Sequence, residues 1–232
     1  MKMKRKSASP RQTAKAKTGI LIVDDHPMMR QGLALLIANE PDLCVAGEAD
    51  TAAQALENAS ARPPGLVLAD ISLPDKNGLE LIKDLRSMHP DLPVLVVSMH
   101  DEALFAERVL RAGARGYIMK QEGGRKLLLA IRQVLAGQIY VSEKMSARIL
   151  ELFSGHRPGA GGSPVERLSD REFEVFQLIG LGKGTREIAV QLHLSVKTVE
   201  VHRAKIKAKL DVKTATDLVR VAVQWVESQG SG

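Results

Sequence analysis

Residues 18–39 read TGILIVDDHPMMRQGLALLIAN, and this stretch decides the fold of the first half of the chain. The short Ile, Leu and Val run at 20–23 is typical of a strand that is buried on both faces of a parallel sheet. Asp24 and Asp25 follow this run, and apolar residues at helical spacing then occupy 27–39. A strand, a polar turn and a helix in this order form one βα unit, which predicts an α/β domain.

The same unit recurs along the next hundred residues. Further apolar runs that predict strands lie at 66–69, 94–97 and 117–119, with a weaker run at Cys44–Gly47. Helical patterns lie between and after them, near 51–60, 78–88, 101–112 and 123–136. Five strands that alternate with five helices predict a doubly wound, flavodoxin-like sheet of five parallel strands.

Polar residues stand where the predicted strands end. Asp24 and Asp25 end the first strand, Asp70 the third and Ser98 the fourth, while the fifth leads to Lys120. Ligands of such sheets collect at these ends, and clustered carboxylates select a hard cation such as Mg²⁺ or Mn²⁺. A carboxylate beside such a cation can attack a phosphoryl group, which makes Asp70 the candidate nucleophile. The alternative is that these groups only cap helices and loops, but the placement of all five residues at strand ends disfavours it.

Composition limits the classes of protein that this chain can represent. It has 232 residues, of which 44% are hydrophobic and 26% charged, which is ordinary for a globular protein. We expect a cytoplasmic protein that makes no membrane contact, because no apolar run approaches the roughly 20 residues of a membrane span. A single cysteine, Cys44, excludes an internal disulfide.

The charge is unevenly distributed and divides the chain. Net charge is +7 in residues 1–18, −4 in 19–155 and +3 in 156–232, so the last block is the candidate for binding nucleic acid. We expect a basic disordered tail, the α/β domain, a connecting helix with a Gly- and Pro-rich linker, and an all-helical domain, at 1–18, 19–137, 138–167 and 168–228. The tail is alternatively a basic arm that contacts nucleic acid.

The second domain begins with a clear helix signal and continues with three more. Ser169 and Glu172 match a capping box. Thr185, Ser195 and Thr214 are candidate N-caps of the later helices. Four short helices within about 65 residues predict a small all-α domain.

The most informative helix of this domain is Val196–Leu210, VKTVEVHRAKIKAKL. Its inward stripe is Val199, Ile206 and Leu210. The opposite, mostly small face comprises Lys197, Val201, Ala204 and Ala208, edged by Lys205 and Lys209 on one side and by Arg203 and Lys207 on the other. A narrow face edged by cations suits a major groove, and the short helix before it completes a helix-turn-helix order. The alternative is a lysine-rich helix that only faces solvent.

Four segments of the first domain, in order, resemble the receiver domain of two-component response regulators. They are ILIVDDH (20–26), VLADISLPDKNGL (67–79), Val97-Ser98 and GYIMK (116–120). The resemblance implies that Asp70 is the phosphoacceptor and that Asp24, Asp25, Asp70 and the Ile71 carbonyl bind Mg²⁺. It also implies that Ser98 and Lys120 contact the phosphoryl group and that Tyr117 is the aromatic switch residue, although a plain surface tyrosine is the simpler alternative.

Residues 168 to about 225 resemble the four-helix DNA-binding domain of the LuxR type. The matching motifs are LSDRE (168–172), EIA (187–189), SVKTVEVHRAKIKAKL (195–210) and the last helix from Ala215. The resemblance implies base contacts by Glu200, Val201 and Ala204, and backbone contacts by Lys197, Thr198, His202, Lys205 and, at the edge of the face, Lys209. The last helix either forms a dimer interface or only closes the small core.

Together the two modules resemble response regulators of the NarL/FixJ class. The resemblance implies a sensor histidine kinase or phosphotransfer protein, double-stranded DNA, a second copy on DNA and RNA polymerase as partners, with no enzymatic activity beyond chemistry at Asp70 itself. One alternative is a DNA-binding regulator whose receiver dimerises without phosphorylation. Another is a phosphatase of the haloacid dehalogenase kind, but that family needs Asp-x-Asp, and Ser72 stands at the second position.

Overall fold

The computed structural model describes residues 17–153 and 164–230. The first domain alternates strands and helices in the order β1 (Thr18–Val23), α1 (Pro27–Ala38), β2 (Leu43–Ala49), α2 (Ala52–Ala61), β3 (Leu66–Ala69), α3 (Gly78–Met88), β4 (Val94–Ser98), α4 (Glu102–Ala112), β5 (Gly116–Met119) and α5 (Gly124–Leu135). A connecting helix, α6 (Glu143–Phe153), follows. The second domain contains α7 (Asp170–Gly180), α8 (Thr185–Gln191), α9 (Val196–Leu210) and α10 (Ala215–Gly230).

The five strands form one parallel sheet in the order β2-β1-β3-β4-β5, as predicted. Strands β1 and β3 are neighbours, and Val23 at the end of β1 is in register with Ala69 at the end of β3. This pairing places the residues that follow both strands side by side at one edge of the sheet. The crevice at such a reversal of strand order is where open α/β sheets bind ligands.

Two details of the predicted boundaries are wrong. Strand β1 already includes Thr18, so the ordered domain begins inside the predicted tail. Helix α8 is capped by Gly184 instead of Thr185, because Glu187 Oε2 turns back to accept from the Gly184 amide at 2.8 Å. The remaining tail, 1–16, and the linker segment 154–163 lie outside the described residues.

The predicted caps at Ser169, Ser195 and Thr214 are confirmed. Ser169 and Glu172 form the reciprocal capping box. Ser195 Oγ accepts from the Thr198 amide at 3.0 Å, and Thr214 Oγ1 accepts from the Asp217 amide at 3.0 Å. Each of these bonds satisfies an amide that the first helical turn leaves without a partner.

Apolar packing continues from the first domain into the second. Residues of α2, α3 and α4 share one buried cluster with residues of α7 and α10. A column of rings runs through it, from His100 to Phe105 (4.7 Å between centroids), then to Phe173 (5.2 Å) and Trp225 (5.3 Å). Arg108 stacks over Phe173 at 3.9 Å. The two domains are therefore docked, with α7 and α10 against α4.

Charged groups surround this apolar contact. Arg108 of α4 donates to the carbonyl oxygens of Val165 and Leu168, and it lies 3.4 Å from Asp170. Lys83 of α3 lies 2.7 Å from the same carboxylate. Two cations of the first domain thus converge on the N-terminus of α7. None of the helices in the described ranges has the length and apolar character that crossing a bilayer requires.

Candidate functional site: an acidic pocket and a basic helix

The ends of β1 and β3 bring two carboxylates together in a buried pocket. The Asp70 amide donates to the Val23 carbonyl at 2.9 Å, which ties the end of β3 to the end of β1. Asp24 and Asp70 are only 1% and 4% exposed. Two buried carboxylates at this proximity repel each other unless a cation lies between them.

In this structure the Lys120 ammonium takes that position. Its Nζ lies 2.7 Å from Asp24 Oδ2 and 2.7 Å from Asp70 Oδ2. Burial raises the pKa of Asp70, and Lys120 opposes that rise. Burial by itself would lower the pKa of Lys120, but the two carboxylates outweigh it and hold that pKa above its ordinary value. The side chains that follow β1, β3 and β5 therefore meet in one pocket.

Four side chains of the pocket offer ligand atoms to a cation. Atoms of Asp24, Asp25, His26 and Asp70 lie within 4.8 Å of one another. Asp25 Oδ1 is buried and forms an ion pair with His26 Nδ1 at 2.6 Å. Carboxylate oxygens grouped in this way fit a hard cation such as Mg²⁺. His26 was not predicted, although it directly follows the acid pair.

The prediction for the Ile71 carbonyl needs a correction. This oxygen accepts from the amides of Leu73 (3.2 Å) and Gly78 (2.8 Å) inside its own loop. Two donors occupy both lone pairs of a carbonyl, so we remove Ile71 from the ligand set. Gly78 is also needed for space, because a Cβ there would lie 2.3 Å from the Asp70 carbonyl oxygen. Sequence reasoning missed Gly78, since only the folded loop shows that approach.

Ser98 and Tyr117 lie beside the pocket, and both are fully buried. The Ser98 hydroxyl accepts from the His100 amide at 3.2 Å. The Tyr117 hydroxyl donates to the His100 carbonyl at 2.9 Å. Tyr117 therefore lies inside the receiver, hydrogen bonded to the loop that follows β4. Its environment is that of a core residue and not of a surface aromatic.

The predicted DNA-reading face of α9 is open to solvent. Val199 and Ile206 are fully buried, whereas Val201 on the opposite side is 46% exposed. Lys197, Glu200, Ala204 and Lys205 are exposed as well. Because this face is exposed even with the domains docked, the receiver does not cover it.

Two residues predicted to contact DNA have partners inside the protein, and a third is half-buried. Lys209 Nζ lies 2.6 Å from Glu172 Oε2, so its charge already stabilises the second domain. Thr198 Oγ1 lies 2.7 Å from Ser195 Oγ within the helix cap. His202 is half-buried, and burial together with nearby Arg171 lowers its pKa. These observations favour structural roles for Lys209 and His202.

The last helix closes the core of the second domain and leaves part of its outer side exposed. Leu218 and Ala222 are fully buried, so these two residues close the core of the second domain. Val219 remains 39% exposed on the outer side. The inner residues therefore follow the simpler interpretation, and only the outer side is open for a second copy.

Comparison with known proteins agrees with both halves of this architecture. Residues 20–132 match the family model described as "Response regulator receiver domain", and residues 166–222 match "Bacterial regulatory proteins, luxR family". The chain is a two-component response regulator. Its receiver carries a LuxR-type DNA-binding domain, which confirms both resemblances and the predicted fold.

Relatives match this response regulator over nearly its whole length. It is 34% identical over 209 residues to the oxygen regulatory protein NreC of Staphylococcus haemolyticus, covering 88% of this chain and 96% of that protein. It is 38% identical over 208 residues to the transcriptional activator protein ExaE of Pseudomonas putida, covering 89% and 96%. The relatives are transcription regulators, and the phosphatase alternative is therefore rejected.

One solved structure matches nearly the whole chain, and another matches a shorter part of it. RcsB of Salmonella enterica serovar Typhimurium, bound to the promoter rprA in the presence of the phosphomimetic BeF₃⁻, matches with a TM-score of 0.58 and 27% identity. That match covers 88% of this chain and 98% of RcsB. A LuxR-family response regulator from Aurantimonas matches with a TM-score of 0.56 and 32% identity, covering 60% and 99%.

Proposed function

We propose that Asp70 accepts a phosphoryl group from a histidine kinase or phosphotransfer protein and that this modification controls promoter binding. The observation that carries the proposal is the buried convergence of Asp24, Asp70 and Lys120 at the ends of three strands. Asp24 and Asp25 would hold Mg²⁺ together with Asp70, because their ligand atoms lie within 4.8 Å of one another. When bound, Mg²⁺ neutralises charge on the phosphoryl oxygens.

Each side chain of the pocket has a separate role in the proposed phosphoryl transfer. Asp70 Oδ1 accepts from the Ile71 amide at 2.7 Å, which orients the carboxylate. An Asp70 oxygen forms the new bond to phosphorus while the phosphorus–nitrogen bond of phosphohistidine breaks, and the imidazole nitrogen keeps the electron pair. The Lys120 ammonium and the Ser98 hydroxyl then donate to the phosphoryl oxygens.

The added charge affects both neighbouring loops and the docked domain. A phosphoryl group adds about −1.5 to −2 charges and strong acceptor oxygens. It competes with Asp24 and Asp70 for Lys120, and it draws Ser98 away from the His100 amide. His100 begins the ring column that ends at Trp225, so a shift of this loop alters the receiver–output contact. Domain release and dimerisation then bring two α9 helices to a two-fold DNA site.

For DNA binding, the exposed face of α9 supports base contacts by Glu200, Val201 and Ala204 and phosphate contacts by Lys197 and Lys205. The DNA-bound RcsB relative supports a dimer on the promoter.

RNA polymerase is a further proposed partner. A protein that meets DNA and a kinase in a bacterium works in the cytoplasm, which is where we place it.

A second candidate is a regulator whose receiver dimerises without phosphorylation. The inward position of Tyr117 favours it, because this side chain is fully buried and hydrogen bonded without a phosphoryl group. In that case the pocket would keep its charges but would never be modified. DNA affinity would then be independent of phosphodonors.

Phosphorylation with acetyl phosphate separates the two candidates. We expect Mg²⁺-dependent incorporation of one phosphoryl group, seen by intact mass, and tighter promoter binding afterwards. Asp70→Asn should abolish both effects, whereas the exposed control Asp91→Asn should change neither. Unlabelled wild-type protein that binds DNA equally well with and without Mg²⁺ and donor would refute the phosphorylation proposal and support the second candidate.

A further inference from the structure

The acidic pocket opens into a cleft of about 550 Å³ whose walls come from both domains. The receiver contributes Asp25, Asp70 and Lys120, and the output domain contributes Gln177, Val190 and His193. The last two belong to α8 and to the turn that leads into α9. A cation that reaches the carboxylates through this cleft therefore passes the helix-turn-helix motif.

His193 makes the direct contact between this turn and the pocket. Its Nε2 lies 3.1 Å from Asp25 Oδ2. The turn is closed by backbone bonds, with the His193 amide donating to Val190 and the Leu194 amide to Ala189. His193 has a φ of 53°, a left-handed conformation that is uncommon for a residue with a side chain. The imidazole is thus presented to Asp25 from a tightly closed turn.

Asp25 is the carboxylate through which docking and cation binding meet. Its Oδ1 lies 2.6 Å from His26 Nδ1, its Oδ2 faces His193, and the carboxylate belongs to the cluster that could hold a cation. A cation withdraws charge from the carboxylate, which weakens the bond that holds the turn. A hydrated Mg²⁺ also keeps several waters, and these need room in the cleft that the turn borders.

We propose that His193 closes the cation site from the output domain and competes with the cation for Asp25. The inference rests on the proposed function only in placing the cation at Asp24, Asp25 and Asp70. Cation binding would loosen the turn before any phosphoryl transfer takes place. By linkage, the factor by which the cation weakens docking of the turn equals the factor by which the docked turn weakens cation binding. A protein without His193 must therefore bind the cation more tightly by this factor.

The rest of the interface makes this loosening local. The contacts of Arg108 and Lys83 with Asp170 lie at the N-terminal end of α7, about two turns from Gln177 in the cleft lining, and involve no pocket carboxylate. In the cleft lining, Gln177 Oε1 is buried and finds no hydrogen-bond partner among the described residues. A buried polar group without a hydrogen-bond partner weakens packing, so the interface should open first at this end.

The test is a calorimetric titration of the full chain with Mg²⁺. We expect His193→Gly and His193→Ala to bind Mg²⁺ about fivefold more tightly than wild type. The glycine variant keeps the turn, since glycine adopts a left-handed φ readily. Arg186→Ala, which removes a cation from exposed α8 surface away from Asp25, is the control for a general charge effect and should leave the affinity unchanged.

Hydrogen exchange supplies a second readout without any phosphodonor. In wild type, saturating Mg²⁺ should raise exchange at the amides of residues 190–195, and in His193→Gly it should not. Equal or weaker Mg²⁺ binding by both His193 variants would overturn the inference and leave the proposed phosphorylation intact. If neither wild type nor variant binds Mg²⁺, the inference and the cation site of the proposed function both fail.

Discussion

In the receiver pocket, Asp24, Asp70 and Lys120 come from three different strands and are almost completely buried, whereas the residues that would read DNA lie on one helix and face solvent. The pocket exists only when the whole sheet has formed, and each of its charges depends on the others. The face of α9 needs only its own helix and the stripe beneath it. Substitutions in the pocket should therefore lower the free energy of unfolding, and substitutions on the helix face should weaken DNA binding.

The most severe test of this comparison removes the charge at the centre of the pocket. Lys120→Met leaves two buried carboxylates without a cation, which should lower the free energy of unfolding by about 4 kcal/mol without divalent cations. Mg²⁺ should restore part of this loss because it replaces the missing charge. Urea unfolding with and without Mg²⁺ measures both effects.

The matched control is Lys126→Met, whose ammonium pairs with Glu122 at an exposed site and should matter little. If Lys120→Met were as stable as wild type in the absence of Mg²⁺, the pocket would not depend on its charges in the way described.

The next test concerns the backbone beneath the phosphoacceptor. Gly78→Ala places a Cβ 2.3 Å from the Asp70 carbonyl oxygen and 2.7 Å from Ile71 Cα, so the loop must move. We expect a loss of about 2–3 kcal/mol in the free energy of unfolding, together with weaker Mg²⁺ binding. Gly32→Ala in α1 meets open space and should stabilise the protein by about 0.5–1 kcal/mol. Similar effects of the two substitutions would contradict the close packing.

A pH test addresses the interface that joins the two regions. Burial raises the pKa of Glu174 from 4.5 to about 7, and Arg171 opposes this rise. The folded protein therefore holds a proton that the unfolded chain releases near 4.5, so stability should fall as pH rises from about 5 to about 7 and then level off. The expected loss is on the order of 2 kcal/mol, and Glu174→Gln should remove it. Unchanged pH dependence in this variant would show that another group is responsible.

The smallest expected effects belong to the exposed helix. Lys197→Ala and Lys205→Ala should each weaken promoter binding by roughly tenfold and reduce the salt dependence by about one counterion, with little change in stability. Lys209→Ala should instead lower the free energy of unfolding and leave promoter binding almost unchanged, because its ammonium is bound to Glu172. Binding isotherms at several salt concentrations, alongside urea unfolding, measure both. If Lys209→Ala and Lys197→Ala weakened DNA binding equally, this result would contradict the proposed difference between the two sides of α9.

The pocket was predictable because strand ends in a parallel sheet meet at one edge, and this rule places Asp24, Asp70 and Lys120 together without coordinates. Helix α9 was predictable from its periodicity, which correctly put Val199 and Ile206 inside. Other features depend on neighbours that sequence does not reveal. The Gly184 cap replaced Thr185 because Glu187 turns back to it, and Ile71 was excluded by amides from its own loop.

The docking of the two domains was the largest feature that could not be predicted from the sequence. The contact of His193 with Asp25 joins residues that are separated by most of the chain, and no local pattern marks it. The same holds for Arg108 and Asp170. The relative position of two folded domains depends on surface complementarity, which a single sequence does not display.

The ring column has a practical consequence for spectroscopy. Trp225 is the single tryptophan of the chain, and it packs edge-on against Phe173 at the boundary between receiver and output domain. Its fluorescence therefore reports on one place only, and this place is where the two domains would separate in the proposed release. The protein carries an intrinsic optical probe of opening, and stopped-flow recordings can time that motion without an attached dye.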